Sequence, residues 1–304
     1  MLNYVFRRLL QTLPVFVGIV LICFILLKLT GDPTNQLVKP GASVQQRDLV
    51  RARYGLDKPW YVQLGRYLRL DLGVSYKQDR PVSEIIFEGA AVTSRLTLGA
   101  IIIAVGLGLF SGILCAAKPH SFWDYASAAG ASIGVSIPAF WLAMILILVF
   151  SVKLEWLPLP APEPGKLKYL IIPVVTLGLI STALIARLTR SCLLEAYSQD
   201  YVRTARAKGI RSWMALLGHA FPNALVPILT VIGTNLAALL TGAVLTETTC
   251  SLPGLGTAIN NAIKQQDHPV IMGGCLFFAL VFVIVNFVVD LLYGFLDPRI
   301  RHHS

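Results

Sequence analysis

Six apolar stretches, each long enough to cross a bilayer, limit what this chain can fold into. They run approximately over 9–29, 95–117, 132–153, 169–189, 225–247 and 270–293. A membrane-crossing helix needs about 20 such residues. In hydrocarbon every backbone N–H and C=O must be paired inside the protein, which only helices and closed barrels achieve. The two-residue alternation of barrel strands is absent. The expected fold class is therefore an all-α membrane protein with six transmembrane helices. Charged residues make up only 14% of the chain, yet 26 Lys and Arg face 16 Asp and Glu. Nucleic-acid binders are basic and water-soluble together. Here the basic surplus reads as a topology signal, and no nucleic-acid partner is expected.

The first stretch follows Arg7 and Arg8. It is too long for a typical signal-peptide core and no A-x-A site follows, so it reads as an uncleaved anchor. With the N-terminus inside, the inner segments carry Lys118, Arg187, Arg190, Arg203, Arg206, Lys208, Arg211, Arg299 and Arg301. The short outer loops hold only Lys153, Lys166, Lys168 and Lys264. Both termini are then cytoplasmic. The expected organisation is an N-terminal transmembrane helix (1–30), an extracytoplasmic insertion (31–94) and a five-helix core (95–304) with a cytoplasmic loop at 190–222. The insertion has turn signals at Gly31-Asp32-Pro33 and Lys39-Pro40-Gly41, and short helices are expected around 44–54 and 60–70. Residues 156–165 form a stiff Pro-rich outer loop.

Several side chains stand out. Ala100, Ala104, Gly108 and Gly112 recur every four residues, a face on which a second helix can pack closely. Pro138 is expected to kink the third span. Thr230, Thr234, Ala238 and Thr241 share a helical face that either lines a polar path or bonds between helices and back to its own carbonyls. Asn286, Asp290, Tyr293 and Asp297 share another. Asp290 is either an ion-coupling carboxylate or a tie between its helix and the inner loop, since a charge at that depth must face protein or water. The five cysteines show no CxxC spacing, and the histidines form no cluster, so neither a disulfide framework nor a metal site is expected. No phosphate loop and no hydrolase motif occurs, so the chain is not expected to be an enzyme or to bind a cofactor.

The inner segment Ser198–Pro222 is too polar to span. Asp200-Tyr-Val-Arg-Thr-Ala-Arg-Ala-Lys-Gly209 reads as a short helix ended by Gly209, with Lys208 complementing its negative end. A second short helix is expected around 211–219, ending before Pro222. Such a helix is suited either to dock on a partner or to lie on anionic lipid.

This segment resembles the signature of permease subunits in binding-protein-dependent ATP-binding-cassette importers. That signature runs Glu-Ala-Ala, three residues, Gly, nine residues, an apolar residue, one more, then Leu-Pro. Arg203, Thr204, Ala205, Gly209, His219, Phe221 and Pro222 occupy its positions, with Arg203 in place of the acid and His219 in place of the apolar residue. Tyr201–Gly209, followed by His219, Asn223 and Pro227, is similar to the peptide/nickel subgroup. Further resemblances are the Arg-Arg-Leu-Leu opening, Tyr54–Pro59, Asp71-Leu-Gly73, Glu247–Gly256 (with Pro253 and Gly254), Asp267-His-Pro269, Asn286, Asp290 and Asp297-Pro-Arg299. The resemblance implies a type I importer permease, the first of a pair, in a bacterial or archaeal cytoplasmic membrane. It implies translocation of dipeptides or oligopeptides, or alternatively of nickel chelates. It implies a second permease, one or two cytosolic ATPases that hold the ATP and Mg, and an extracytoplasmic binding protein. Asp200, Tyr201, Arg203, Ala205, Arg206, Lys208, Gly209, His219 and Asn223 would form the coupling loop. A stand-alone transporter coupled through Asp290 is the contrasting reading.

Overall fold

The computed structural model describes residues 2–38, 41–159 and 166–296. In chain order the helices are α1 Leu2–Leu29, α2 Thr34–Leu37, α3 Val44–Tyr54, α4 Trp60–Leu68, α5 Val82–Ala117, α6 Phe122–Ser136, α7 Ala139–Leu146, α8 Ile171–Tyr197, α9 Asp200–Ala207, α10 Ser212–Ala215, α11 Phe221–Gly242, α12 Val244–Thr249, α13 Leu255–Gln265 and α14 His268–Leu296. Among the described residues no strand occurs. Five helical runs are long and apolar enough to cross a membrane: Arg8–Leu29, Val82–Ala117, Leu167–Tyr197, Ser212–Leu240 and His268–Leu292. The pair Phe122–Ser136 and Ala139–Lys153 makes a sixth when counted as one span.

That pair corrects the expectation of a single kinked helix over 132–153. The two halves meet at 103°. Ile137 is extended, and Pro138, which has no N–H to donate, sits at the N-cap of α7. The first half starts inside what reads as an inner loop, because Ser121 caps it by accepting from the Asp124 N–H at 3.3 Å. The second half widens into a π-turn over Ile147–Lys153.

α5 begins at Val82 rather than near 95. Its first turns are amphipathic: Val82, Ile85, Ile86 and Ala90 are buried, while Glu84 and Glu88 face outward and share Arg80. The two outer-segment helices fall at 44–54 and 60–68, close to the expected positions. α3 opens with a reciprocal cap between Ser43 and Gln46.

The chain divides into two compact units. One comprises residues 94–252 with 288 onward, and the other 2–93 with 253–287. In the first, Leu193, Val202, Ala215, Leu216, Ala220 and Ile228 form a buried cluster. There α5 lies tightly on α8. A Cβ on Gly108 would sit 2.8 Å from the Ile185 Cβ, and one on Gly112 2.7 Å from the Thr189 Cβ. The small-residue face thus serves helix packing. The second unit has two clusters. One gathers Val82, Ile86, Leu255 and Val270. The other gathers Val20, Phe24, Leu64, Met272 and Leu276.

Candidate coupling loop and translocation face

α9 is built to show one face and hide the other. Val202 is buried in the cluster with Leu193, Ala215 and Leu216, and Ala205 is buried as well. Asp200, Tyr201, Arg203, Arg206 and Lys208 are exposed. Asp200 and Arg203 approach only to 3.5 Å, and both are largely in solvent, so that pair adds little. Arg206 lies 5.5 Å over the Tyr197 ring. Ala205, expected in the coupling loop, is buried.

The helix ends in a complete Schellman turn. The Ile210 N–H donates to the Ala205 carbonyl at 3.3 Å and the Gly209 N–H to the Arg206 carbonyl at 2.9 Å. Gly209 has φ +86°, a conformation that other residues adopt only with strain. No heavy atom lies within 4 Å of where its Cβ would be, so backbone strain alone selects glycine here.

Beyond it the expected short helix ending before Pro222 is not found. α10 continues through a π-turn, Leu216–Ala220, into α11. The turn places the Phe221 N–H on the Leu216 carbonyl, five residues back. The register shift falls where Pro222 brings no donor, so the helix continues. His219 and Asn223 are exposed, and the Asn223 amide donates to the His219 carbonyl at 2.9 Å.

On α11, Thr234 and Ala238 are exposed and Thr230 is half-buried. The Thr234 hydroxyl donates to the Thr230 carbonyl at 2.9 Å, and the Thr230 hydroxyl to the Val226 carbonyl at 3.1 Å. These protons stay within the helix, leaving a narrow face that offers oxygen lone pairs. The Thr241 side chain, Asp297 and Arg299 lie outside the described residues. Glu247 is fully buried in α12, and its carbonyl accepts from the Leu252 N–H at 2.9 Å. Pro253 is exposed, and Gly254 stands at the start of α13. On α14 the Asn286 amide donates to the Phe282 carbonyl at 2.8 Å, and Asp290 is half-buried. Among the described residues no three His, Cys, Asp or Glu side chains are grouped to hold a metal ion.

Residues 104–302 match the family described as binding-protein-dependent transport system inner membrane component. The chain belongs to this family. It is a multi-pass inner-membrane permease. The chain is 39% identical to the dipeptide transport system permease protein DppB of Alkalihalophilus pseudofirmus, over 99% of this chain and 100% of that one. It is 38% identical to the di/tripeptide transport system permease protein DppB of Pseudomonas aeruginosa, over 99% of each chain. It is also 38% identical to the glutathione transport system permease protein GsiC of Escherichia coli, over 99% of this chain and 100% of that one. Among solved structures, a chain of the inward-facing MetNI methionine ABC transporter superposes with a TM-score of 0.55. That match covers 71% of this chain and 98% of that one at 18% identity, and it supports the fold.

Two contacts of the permease were not foreseen from sequence, although Asp267 had been noted in a motif. Asp124, 2% exposed at the start of α6, is gripped by Arg190 of α8. One guanidinium nitrogen lies 2.7 Å from its carboxylate, and the His120 N–H donates to the same oxygen at 2.9 Å. Arg190 had been counted as a topology signal. The Ser-x-x-Asp spacing at 121–124 is the available clue, but it signals a cap and not a partner 66 residues away. The second is the carboxylate of Asp267. It accepts from the Ser75 hydroxyl at 2.5 Å, the Tyr76 N–H at 3.0 Å and the Lys77 N–H at 3.3 Å, and so pins the outer 75–77 turn. In the same unit, burial pushes Asp32 upward, but Thr34 and Arg51 outweigh it and hold the carboxyl at about 2. Burial pushes Tyr67 up to about 12.

Proposed function

We propose that the chain is one of two permease subunits of an ATP-driven importer of dipeptides or oligopeptides. ATP is hydrolysed by separate cytosolic subunits that dock on α9, and a binding protein delivers substrate on the opposite side. Both termini are cytoplasmic in this reading. The observation that carries it is α9 itself, a short polar helix fixed by two buried apolar residues with its charges outward. Its full-length relatives named for peptide and glutathione transport support the substrate class. Closure of the ATPases would move α9, and the packed helices behind it would rock as rigid bodies between two access states. The Thr230–Thr234–Ala238–Thr241 face is assigned to the path or to the facing permease.

The test is mild-detergent purification of the tagged chain from its native membrane, followed by mass spectrometry of the retained proteins and uptake of labelled peptides and nickel chelates. A second permease with one or two ATPases, and ATP-dependent peptide uptake, are expected. Recovery of the chain alone even after cross-linking would overturn the importer reading. So would uptake that survives loss of the ATPases but fails when the ion gradient collapses or in Asp290→Asn. Uptake of nickel chelates without peptides would overturn the substrate class alone.

A further inference from the structure

The first unit contains a cavity of about 900 Å³ that the coupling mechanism leaves unused. Leu114, Gly130, Ala131, Leu179, Ala183 and Leu216 contribute to its wall. Lys118, Trp123, Tyr197 and Trp213 also line it, and Lys118, Trp123 and Trp213 are exposed. Arg206 is not in the wall but lies 5.5 Å over the ring of Tyr197, which is. Among the described residues no carboxylate lines the cavity. The nearby Asp124 is committed to Arg190 and to the His120 N–H.

These observations select an occupant. A wall this apolar offers water too few partners. The depression is open on one side, so its apolar wall faces whatever surrounds the protein there. Flexible acyl chains fit an irregular apolar space. Trp and Tyr favour the headgroup level of a membrane, and Lys and Arg there attract anionic lipid.

We propose that this cavity holds the acyl chains of an anionic phospholipid from the cytoplasmic leaflet, with Lys118 and Arg206 facing its phosphate. The choice of leaflet rests on the topology proposed above, whereas the site itself does not. Because Arg206 belongs to α9, the lipid would sit directly behind the proposed docking helix.

The test uses the purified permease complex and native mass spectrometry during titration with phosphatidylglycerol or phosphatidylcholine of identical chains. Retention of phosphatidylglycerol should exceed that of phosphatidylcholine by more than about fivefold, and Lys118→Gln should remove about fivefold of that preference. Gly130→Leu is the filling variant, since no heavy atom lies within 4 Å of a Cβ at that position. Ala126→Leu is the second. Either should release the bound lipid while the complex stays assembled. Equal retention of the two lipids, or undiminished retention in both filled variants, would overturn the proposal. A cross-link from Gly130→Cys to the second permease would also overturn it, by making the cavity a subunit contact. Peptide uptake and ATPase recovery are read separately, so this idea can fail while the importer reading stands.

Discussion

α3 and α9 are both short, polar helices outside the membrane spans, and both end on a left-handed glycine, Gly55 at φ +67° and Gly209 at φ +86°. They are held by opposite means. α3 has no buried residue. Two of its charges are used within the chain: Arg51 pairs with Asp32, and Arg53 lies 2.7 Å from Asp79. α9 is fixed by Val202 and Ala205, and its charges make only the long Asp200–Arg203 pair and the contact of Arg206 over the Tyr197 ring. A helix held by buried side chains keeps its position while its charged face changes partners. A helix held by surface ion pairs has already used the groups a partner would need. The contrast marks α9 as the surface suited to transmit force.

The contrast can be broken most severely at Val202. Val202→Asp would bury an unpaired charge at a cost of about 4 kcal/mol. The loop should become protease-sensitive and ATPase recovery should fail, whereas Tyr201→Asp, on the exposed face, should leave the loop folded. If both variants behave alike, the two-faced description of α9 is wrong. Next comes Asp267→Ala in the second unit. It strands the Ser75 hydroxyl and two backbone donors, a loss of about 3 kcal/mol, visible as a lower unfolding temperature of the complex. Gly209→Asp costs about 1–2 kcal/mol of backbone strain. The chain should still insert, but peptide uptake should fall at least about tenfold while ATP hydrolysis persists. Normal coupled uptake would remove the Gly209 turn from the mechanism. The weakest effect belongs to α3: Arg53→Ala should change stability by less than about 1 kcal/mol, and less still at high salt. Asp32 adds a pH signature there. Its carboxyl is held below the unfolded value of about 4, so its support for α3 is complete above that pH. The support is lost as pH falls through about 2. Proteolysis of the 31–60 segment should be flat from pH 5 to 8 in both wild type and Asp32→Asn, and the difference between them should shrink only in strong acid.

Much of this architecture is legible in the residue pattern because hydrocarbon leaves so few options. The apolar runs, the short helix at Asp200–Ala207 and its stop at Gly209 follow from hydropathy and local backbone preference. The departures occur where hydropathy is silent. It cannot separate a kink from the 103° break at Ile137-Pro138, since both are apolar. It stops at 95 although α5 continues outward to Val82, where one buried stripe supports a helix whose other face is charged. Pro222 looks like a terminus, and only the π-turn before it lets the helix pass. Within the candidate site, the exposed charges of α9 were readable from composition. The inward position of Ala205 was not, because alanine suits either face. The Asp124–Arg190 pair joins elements distant in sequence, which no local pattern encodes.

The unbroken helical run from Ser212 to Leu240 is 29 residues, about 44 Å end to end, against a hydrocarbon thickness of about 30 Å. It begins just after the Gly209 corner and carries the Thr230–Thr234–Ala238 face. It is therefore a lever arm longer than the barrier it crosses. A tilt of about 10° at one end would swing the other by about 8 Å. In the proposed importer, a small stroke at the docking end would then suffice to reshape a path at the other, with no residue between them needing to change conformation.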